Sequence, residues 1–408
     1  MTVLGLLLRR RRWDPAILGA GTLCLSLLVS AGKAAFLLFA VCGLYLAITR
    51  PRTLRGAPVV FMGVLAGWAL WQIGLSLARG EPMDGNRVLS YAALEFACAL
   101  LPLGLGLVRH PARALALGGR VGMLALVVLS TAEYAVTGAR VGLGKNEAIF
   151  AFVVGAIAIL ARLPTGGGPR FLPDGRFWTY LAAVPIALSG TRAAMLLFVI
   201  TAILDLRGAL PHLRARKGRV AVAVVGGLVA AMLAAVPVGG FLADRMEAGV
   251  AEMEAYEATG LAVGSVDIRL AMWSSALRVL AEHPFIGVGG MERMARVADE
   301  AGPNAGEVLR YQHLHNLVLD EALSSGLIGL ALMGGAMAAF LAGALGRSVD
   351  PLVRDASLAL VLFTFVFGLF HGVLLNEWMV LVIFSGMGII LVELRRSRPF
   401  GERSGGAT

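Results

Sequence analysis

The sequence predicts an all-α integral membrane protein with about twelve crossings and one large extracytoplasmic loop. Three observations carry that prediction. Hydrophobic residues fill 58% of the 408 positions, charged residues only 15%, and mean hydropathy is +0.79. No water-soluble core of this length needs so much apolar sequence. The apolar residues come in runs near the roughly 20 residues that a helix needs to cross the hydrocarbon. The arginines sit between those runs and cluster in alternate loops, which the positive-inside rule places together on the cytoplasmic side. The formal charge of +10 therefore reads as membrane topology, and nucleic acid is not expected as a partner.

Taken in order, spans fall near 15–31, 34–49, 57–78, 88–108, 115–136 and 146–161, then 218–241, 316–345, 353–371 and 374–394. Residues 177–206 are a longer apolar stretch interrupted by Ser189-Gly190-Thr191-Arg192. Arg162, Arg170 and Arg176 precede it, and Arg207, Arg214, Arg216, Lys217 and Arg219 follow it. Both flanks are then cytoplasmic, so an even number of crossings separates them. The stretch reads as a hairpin with SGTR at its tip. Its legs, 177–188 and 193–206, rise about 18 and 21 Å, short of roughly 30 Å of hydrocarbon. An arginine and unpaired backbone at that depth need protein or water around them, which predicts that Arg192 lines an outward-opening pocket.

With the hairpin counted as two, the segments around Arg9–Arg12, RPRTLR, RHPAR and the RRSR tail come out cytoplasmic, together with both termini. GEPMDGNR, TGARVGLGKN and the long 242–314 segment come out external. The first span reads as a signal anchor, with a signal peptide cleaved after Val29-Ser30-Ala31 as the alternative. The expected division is an N-terminal membrane region over 1–241, the outer loop over 242–314, a C-terminal membrane region over 315–394 and a tail over 395–408. Cys24, Cys42 and Cys98 lie inside apolar runs and read as small buried hydrophobes, with no disulfide or metal assigned.

The outer loop holds most of the chemistry. MEAGVAEMEAYEA has helical composition, and its glutamates read as a solvated face. VDIRLAMWSSALRVLAEHP spaces Ile268, Leu270, Trp273, Leu277 and Leu280 as an amphipathic helix that Pro284 ends, followed by the glycine-rich turn FIGVGG. Arg269 has two readings: an ion pair with Asp267 or Glu282, or a phosphate ligand whose planar fork matches phosphate oxygens. GVGG alone is too weak to define a phosphate loop.

His313 and His315 stand at the doorway of the next span, beside Asn316. Metal binding wants more ligands at workable spacing, and the short Asp-x-Asp pairing that holds Mg²⁺ against a nucleotide sugar is missing. An imidazole here suits proton transfer, against the plainer reading of a histidine in a polar belt. Asp320 and Glu321, one turn below, either cap the helix or fix Asn316 or an imidazole. For His371, Asn376 and Glu377, in the outer turn between the last two spans, structure and function are both open.

Three stretches now stand together: SGTRAAMLLF at 189–198, DIRLAMWSSALRVLAEHPFIGVGG at 267–290 and HLHNLVLDEALSSGLIGL at 313–330. Their order and spacing around a large outer loop resemble the O-antigen ligases and related polymerases, membrane glycosyltransferases acting on lipid-linked glycans. LGKNEAIFAF at 143–152 is similar to that family's asparagine-containing stretch and singles out Asn146. Where many members carry a glutamate before the GLIGL run, this chain has Ser324 and Ser325.

The resemblance implies a GT-C-like membrane fold, with its active site on the periplasmic side of the bacterial inner membrane. It implies transfer of a glycan from a polyprenyl (undecaprenyl) diphosphate to an acceptor hydroxyl, with inversion and without metal or cofactor. Arg192 and Arg269 would hold the diphosphate, and His315 would be the general base. His313, Asn316 and Asn146 would bind substrate. The implied partners are the lipid-linked donor, a lipid A core or second glycan as acceptor, and the bilayer. Ligase and polymerase share these residues. The alternative of another class is a twelve-span secondary transporter, which would show two related halves and a midplane site.

Overall fold

The computed structural model describes residues 3–167, 169–209, 226, 260–262, 264, 266–346 and 349–397, and all regular structure among them is helical. Apart from residue 226, the expected span at 218–241 lies outside the described residues, as do the glutamate-rich segment up to 259, the side chains of Arg9–Arg12 and the tail beyond 397.

Helix α1 (Val3–Leu27) turns at Leu28 into α2 (Val29–Thr49), and the two pack against each other. Helix α1 starts earlier than the apolar run, because the Leu and Arg residues before Pro15 are good helix formers and continue the same helix. Next come α3 (Val59–Ala78), α4 (Arg87–Leu105), α5 (Pro111–Thr137) and α6 (Glu147–Ala161). The interrupted stretch forms α7 (Phe177–Leu181), α8 (Ala183–Ser189) and α9 (Arg192–Ala209), broken where Gly190 takes φ +66°. The outer segment supplies α10 (Asp267–Glu282), α11 (Arg293–Glu300) and the short α12 (Ala305–Val308). Three long helices close the chain: α13 (Leu317–Ala344), α14 (Pro351–Gly368) and α15 (Glu377–Ser397). Among the described residues seven helices are long and apolar enough to cross a membrane: α2, α3, α4, α5, α13, α14 and most of α15.

Asparagine and aspartate begin several of these helices. Asn86, Asn146, Asn316, Asp350 and Asn376 each accept hydrogen bonds from backbone N–H groups of the first turn that follows, satisfying donors that no earlier carbonyl can reach. Asn376 is thereby a structural cap, and Glu377 beside it pairs with Lys33 at 2.5 Å. Helix α15 is apolar on every face from Trp378 to Val392 and buried throughout that run, the pattern of a central helix.

Charges at one end of the bundle fix the direction of the hairpin. Arg176 bridges Asp205 near the end of α9 and Asp355 near the start of α14, and buried Arg162 pairs with the same Asp205. Helices α9 and α14 also pack along their lengths, so they run antiparallel. Thirteen residues separate Asp205 from Arg192 and thirteen separate Asp355 from Gly368, about 20 Å on each helix. Arg192 therefore emerges at the same end as Gly368 and the turn after it.

A second core lies in the outer segment, where α10 and α11 bury Met272, Ala276, Val297 and Ala298 with Leu314 and Leu323. It is locked onto α13 through a break in that helix. Gly326 has φ 76° and ψ −177°, which an L side chain rarely adopts, and a Cβ there would lie 1.9 Å from the Phe285 carbonyl oxygen. The FIGVGG turn fills the break. Leu327 N donates to Pro284 O at 2.8 Å, and Val288 N donates to Leu323 O at 2.7 Å. Trp71 Nε1 reaches Ser325 O at 2.9 Å, and Arg79 donates to the carbonyls of Ser324, Ile286 and Gly287. An interrupted helix in an apolar bundle persists because such neighbours take up its freed backbone groups. The role of FIGVGG is thus structural: its amides serve α13.

Candidate active site

The turn before α13 carries the histidines, and its anchoring explains where they point. Leu314, fully buried in the outer core, separates them. Its N–H donates to Asp320 Oδ1 at 3.0 Å, and its carbonyl accepts from Trp273 Nε1 at 2.8 Å. Arg293 completes the clamp, donating to Gly290 O at 2.5 Å, Gln312 O at 2.9 Å and Asp320 Oδ1 at 3.3 Å. With Leu314 drawn inward, both flanking imidazoles are left half-buried on the other side, 4.2 Å apart between centroids. His315 pays for this with φ 53°, an unusual backbone for a residue with a Cβ.

Two hydrogen bonds distinguish the rings. The His315 N–H donates to Nδ1 of His313 at 3.1 Å. That nitrogen must carry a lone pair, so neutral His313 holds its proton on Nε2 and is a donor there. His315 Nδ1 lies 3.3 Å from the Phe370 carbonyl, which only accepts. Neutral His315 is therefore protonated on Nδ1, leaving Nε2 as a base.

A third imidazole joins them. His371, from the turn after α14, lies 5.7 Å from His315 and stacks on Phe367 at 4.7 Å. Tyr311 meets His315 edge-on at 5.6 Å. No three carboxylate, thiol or imidazole groups among the described residues are arranged to hold a metal ion.

All three histidines are held neutral. Burial draws His313 down to about 4, with Arg293 and then Arg269 adding to it. Burial likewise takes His315 to about 4, helped by His313 and Arg269 and opposed by the Phe370 carbonyl and Asp320. His371 falls to about 3, through burial and then its two neighbours and Arg269. Arg269, half-buried on the first turn of α10, is the cation common to all three. Burial lowers its own pKa, with Tyr311 opposing. It makes no ion pair with a carboxylate among the described residues: Asp267 bonds instead to Gly264 N. Of its two sequence readings, the ion pair with Asp267 or Glu282 is not formed.

The remaining expected site residues sit as follows. Asn316 caps α13 through its side-chain oxygen; the Asp320 carboxylate binds Leu314 N and Arg293, and Asp320 meets Asn316 through the backbone, its N–H donating to Asn316 O at 2.8 Å. Asn146 caps α6 and is exposed. Arg192 is exposed as the first residue of α9, at the corner that Arg140 covers by donating to Ser189 O at 2.8 Å. Below the histidines, Glu321 accepts from Trp68 Nε1 at 2.7 Å and Glu95 from Gln72 at 2.8 Å. Sequence reasoning missed Arg293, Arg79, Arg140 and Glu95. Only Glu95, an acid in the middle of an apolar run, carried a local signal.

An all-helical membrane protein with imidazoles and a cation gathered at one end of the bundle is the class that this geometry defines. The O-antigen ligase family profile matches residues 177–334, the segment holding Arg192, Arg269 and both histidines before α13. Over that segment the chain is similar to the O-antigen ligase family. No curated protein matches the chain.

Proposed function

We propose that the protein is an O-antigen ligase-type glycosyltransferase that moves a glycan from a polyprenyl (undecaprenyl) diphosphate carrier to a lipid A core hydroxyl. In this reading the chain crosses the bacterial inner membrane twelve times, with both termini cytoplasmic and the site periplasmic. Arg192 and Arg269 hold the diphosphate and oppose the charge that builds on it as the anomeric C–O bond breaks. The acceptor oxygen attacks the anomeric carbon from the opposite face, His315 Nε2 takes its proton, and configuration inverts. His313 donates from Nε2–H to a substrate oxygen. Asn316, whose amide oxygen serves the cap, has its NH₂ for a sugar oxygen, and Asn146 borders the acceptor path.

The observation that carries this reading is Arg269: a half-buried cation without a carboxylate partner among the described residues, beside three neutral imidazoles. Such a site suits a reaction in which a hydroxyl loses its proton while negative charge develops on a leaving group. The test is transfer from a lipid-linked donor by purified, expression-matched protein. Wild-type rates in both His315→Ala and Arg192→Ala would overturn the assignment. A deletion strain should lose surface polysaccharide and accumulate lipid-linked precursor many repeats long. Precursor one repeat long would make the enzyme the related polymerase, and solute uptake by reconstituted vesicles would make it a transporter.

A further inference from the structure

At the end of the bundle opposite the histidines, the ends of α2, α4 and α15 enclose a cavity of about 520 Å³. Helices α2 and α4 touch backbone to backbone higher up, where a Cβ on Gly104 would lie 1.9 Å from Phe39 O. They open below that point, as α4 ends. Arg50, Arg52, Arg395 and Arg396 line the cavity, and among the described residues no acidic one does. Its inner wall is apolar, from Leu46, Leu103 and Val392.

Part of the basic rim is held in place. Arg396 donates to the carbonyls of Gly106 and Val108 just past the end of α4, a favourable position for a cation at the negative end of a helix dipole. Arg50 closes α2, and Arg52 is the second residue of the tight helical turn Pro51–Gly56. A second groove of about 290 Å³ lies on the other side of α15, between α3 and α13, walled by Phe61, Ala339, Gly343 and Leu391. Arg395 lines both. A rim of guanidinium groups above two apolar walls, joined at one arginine, is complementary to a phosphate-bearing head with hydrocarbon tails.

We propose that this end of the protein is a binding site for one anionic phospholipid, its phosphate among Arg50, Arg52, Arg395 and Arg396 and an acyl chain in the groove beside Leu391. Arginines scattered at a membrane face attract anionic lipid diffusely, about tenfold for each one or two charges. A built site differs in being saturable and in depending on the space between the helices.

Gly56 separates these cases. It lines the cavity, is exposed, and an added Cβ there meets nothing within 4 Å. Gly56→Trp therefore fills the cavity and leaves every arginine in place. The experiment is native mass spectrometry of the full chain in detergent, titrated with phosphatidylglycerol or phosphatidylcholine, with thermal melting as the folding control. The wild type should take up one phosphatidylglycerol, saturably, in preference to phosphatidylcholine by about tenfold or more. Gly56→Trp and Arg50→Gln/Arg52→Gln should each lose that adduct while melting like the wild type. Gly343→Leu, which crowds the second groove against Leu391, should weaken it less and serves if Gly56→Trp misfolds. Survival of the preference in the plugged protein would reduce the site to diffuse attraction and overturn the proposal. Full displacement by millimolar inorganic phosphate would assign the arginines to a free anion and overturn it equally.

Discussion

The backbone N–H of His315 donates to Nδ1 of His313 at 3.1 Å, and this bond sorts two imidazoles that are otherwise alike. One becomes a fixed donor at Nε2. The other, turned by the Phe370 carbonyl, keeps its Nε2 lone pair.

Substitutions at the two should therefore differ in kind. His315→Gln removes the base, and the turnover rate should fall about 10²- to 10⁴-fold. His313→Asn keeps an acceptor for the His315 N–H and loses only the outer donor. It should melt like the wild type and raise KM more than it lowers kcat. Equal losses of kcat in both variants would show that the rings are not divided in this way.

Arg269 sets the charge of the cluster. Arg269→Gln removes a positive neighbour that lowers all three imidazoles, so their pKa values should rise. The acid limb of kcat/KM, which reports the free enzyme, should move to higher pH even as the rate drops by at least as much as in His315→Gln. An unmoved acid limb would mean that His315 is not the titrating group.

The pH dependence of stability has a definite sign. The folded values of about 4, 4 and 3 for His313, His315 and His371 lie below the unfolded value of about 6.5. As pH falls, the unfolded chain binds protons first. Stability contributed by the neutral rings is complete above about pH 6.5 and is lost progressively towards about 4. Melting temperature should decline between pH 7 and 5, and His371→Gln should flatten the decline. A slope unchanged by that substitution would remove His371 from the set.

Gly326→Ala should be severely destabilising, by roughly 2–4 kcal/mol or beyond what folding tolerates, because both its backbone angles and the Phe285 carbonyl exclude a Cβ. Ser325→Ala, one residue away and in ordinary helix, should cost about 1 kcal/mol. Protease sensitivity of the outer segment at graded temperatures compares the two.

Much of the bundle was legible because its signal is local. Apolar runs of the right length became α2 to α5 and α13 to α15, the run at 146–161 became the shorter α6, and the SGTR interruption became a break in the helix at Gly190. The break in α13 was not legible. LSSGLIGL reads as continuous apolar helix, and only the FIGVGG turn, some forty positions earlier in the chain, makes Gly326 leave it. The site divides in the same way. Residue type and position singled out His313, His315 and Arg269, whose chemistry is intrinsic. Arg293 and His371 gained their place from partners distant in sequence, Asp320 for one and the histidine turn for the other. Of the readings open for Asp320, a helix cap or a partner for Asn316 or an imidazole, none anticipated that its carboxylate would hold the Leu314 amide.

The stitching of residues 284–289 into α13 bears on how such proteins can be recombined. An outer segment exchanged between relatives at the boundaries 260 and 316 would bring its own turn to a foreign helix, along with the Ile286 and Gly287 carbonyls that expect Arg79 just past the end of α3. A chimera that respects the covalent boundaries would thus orphan polar backbone inside the helix bundle, whereas one that also carries α3 with Arg79 and the first ten residues of α13 would not. Whatever specificity the outer segment carries is inherited together with part of the helical scaffold.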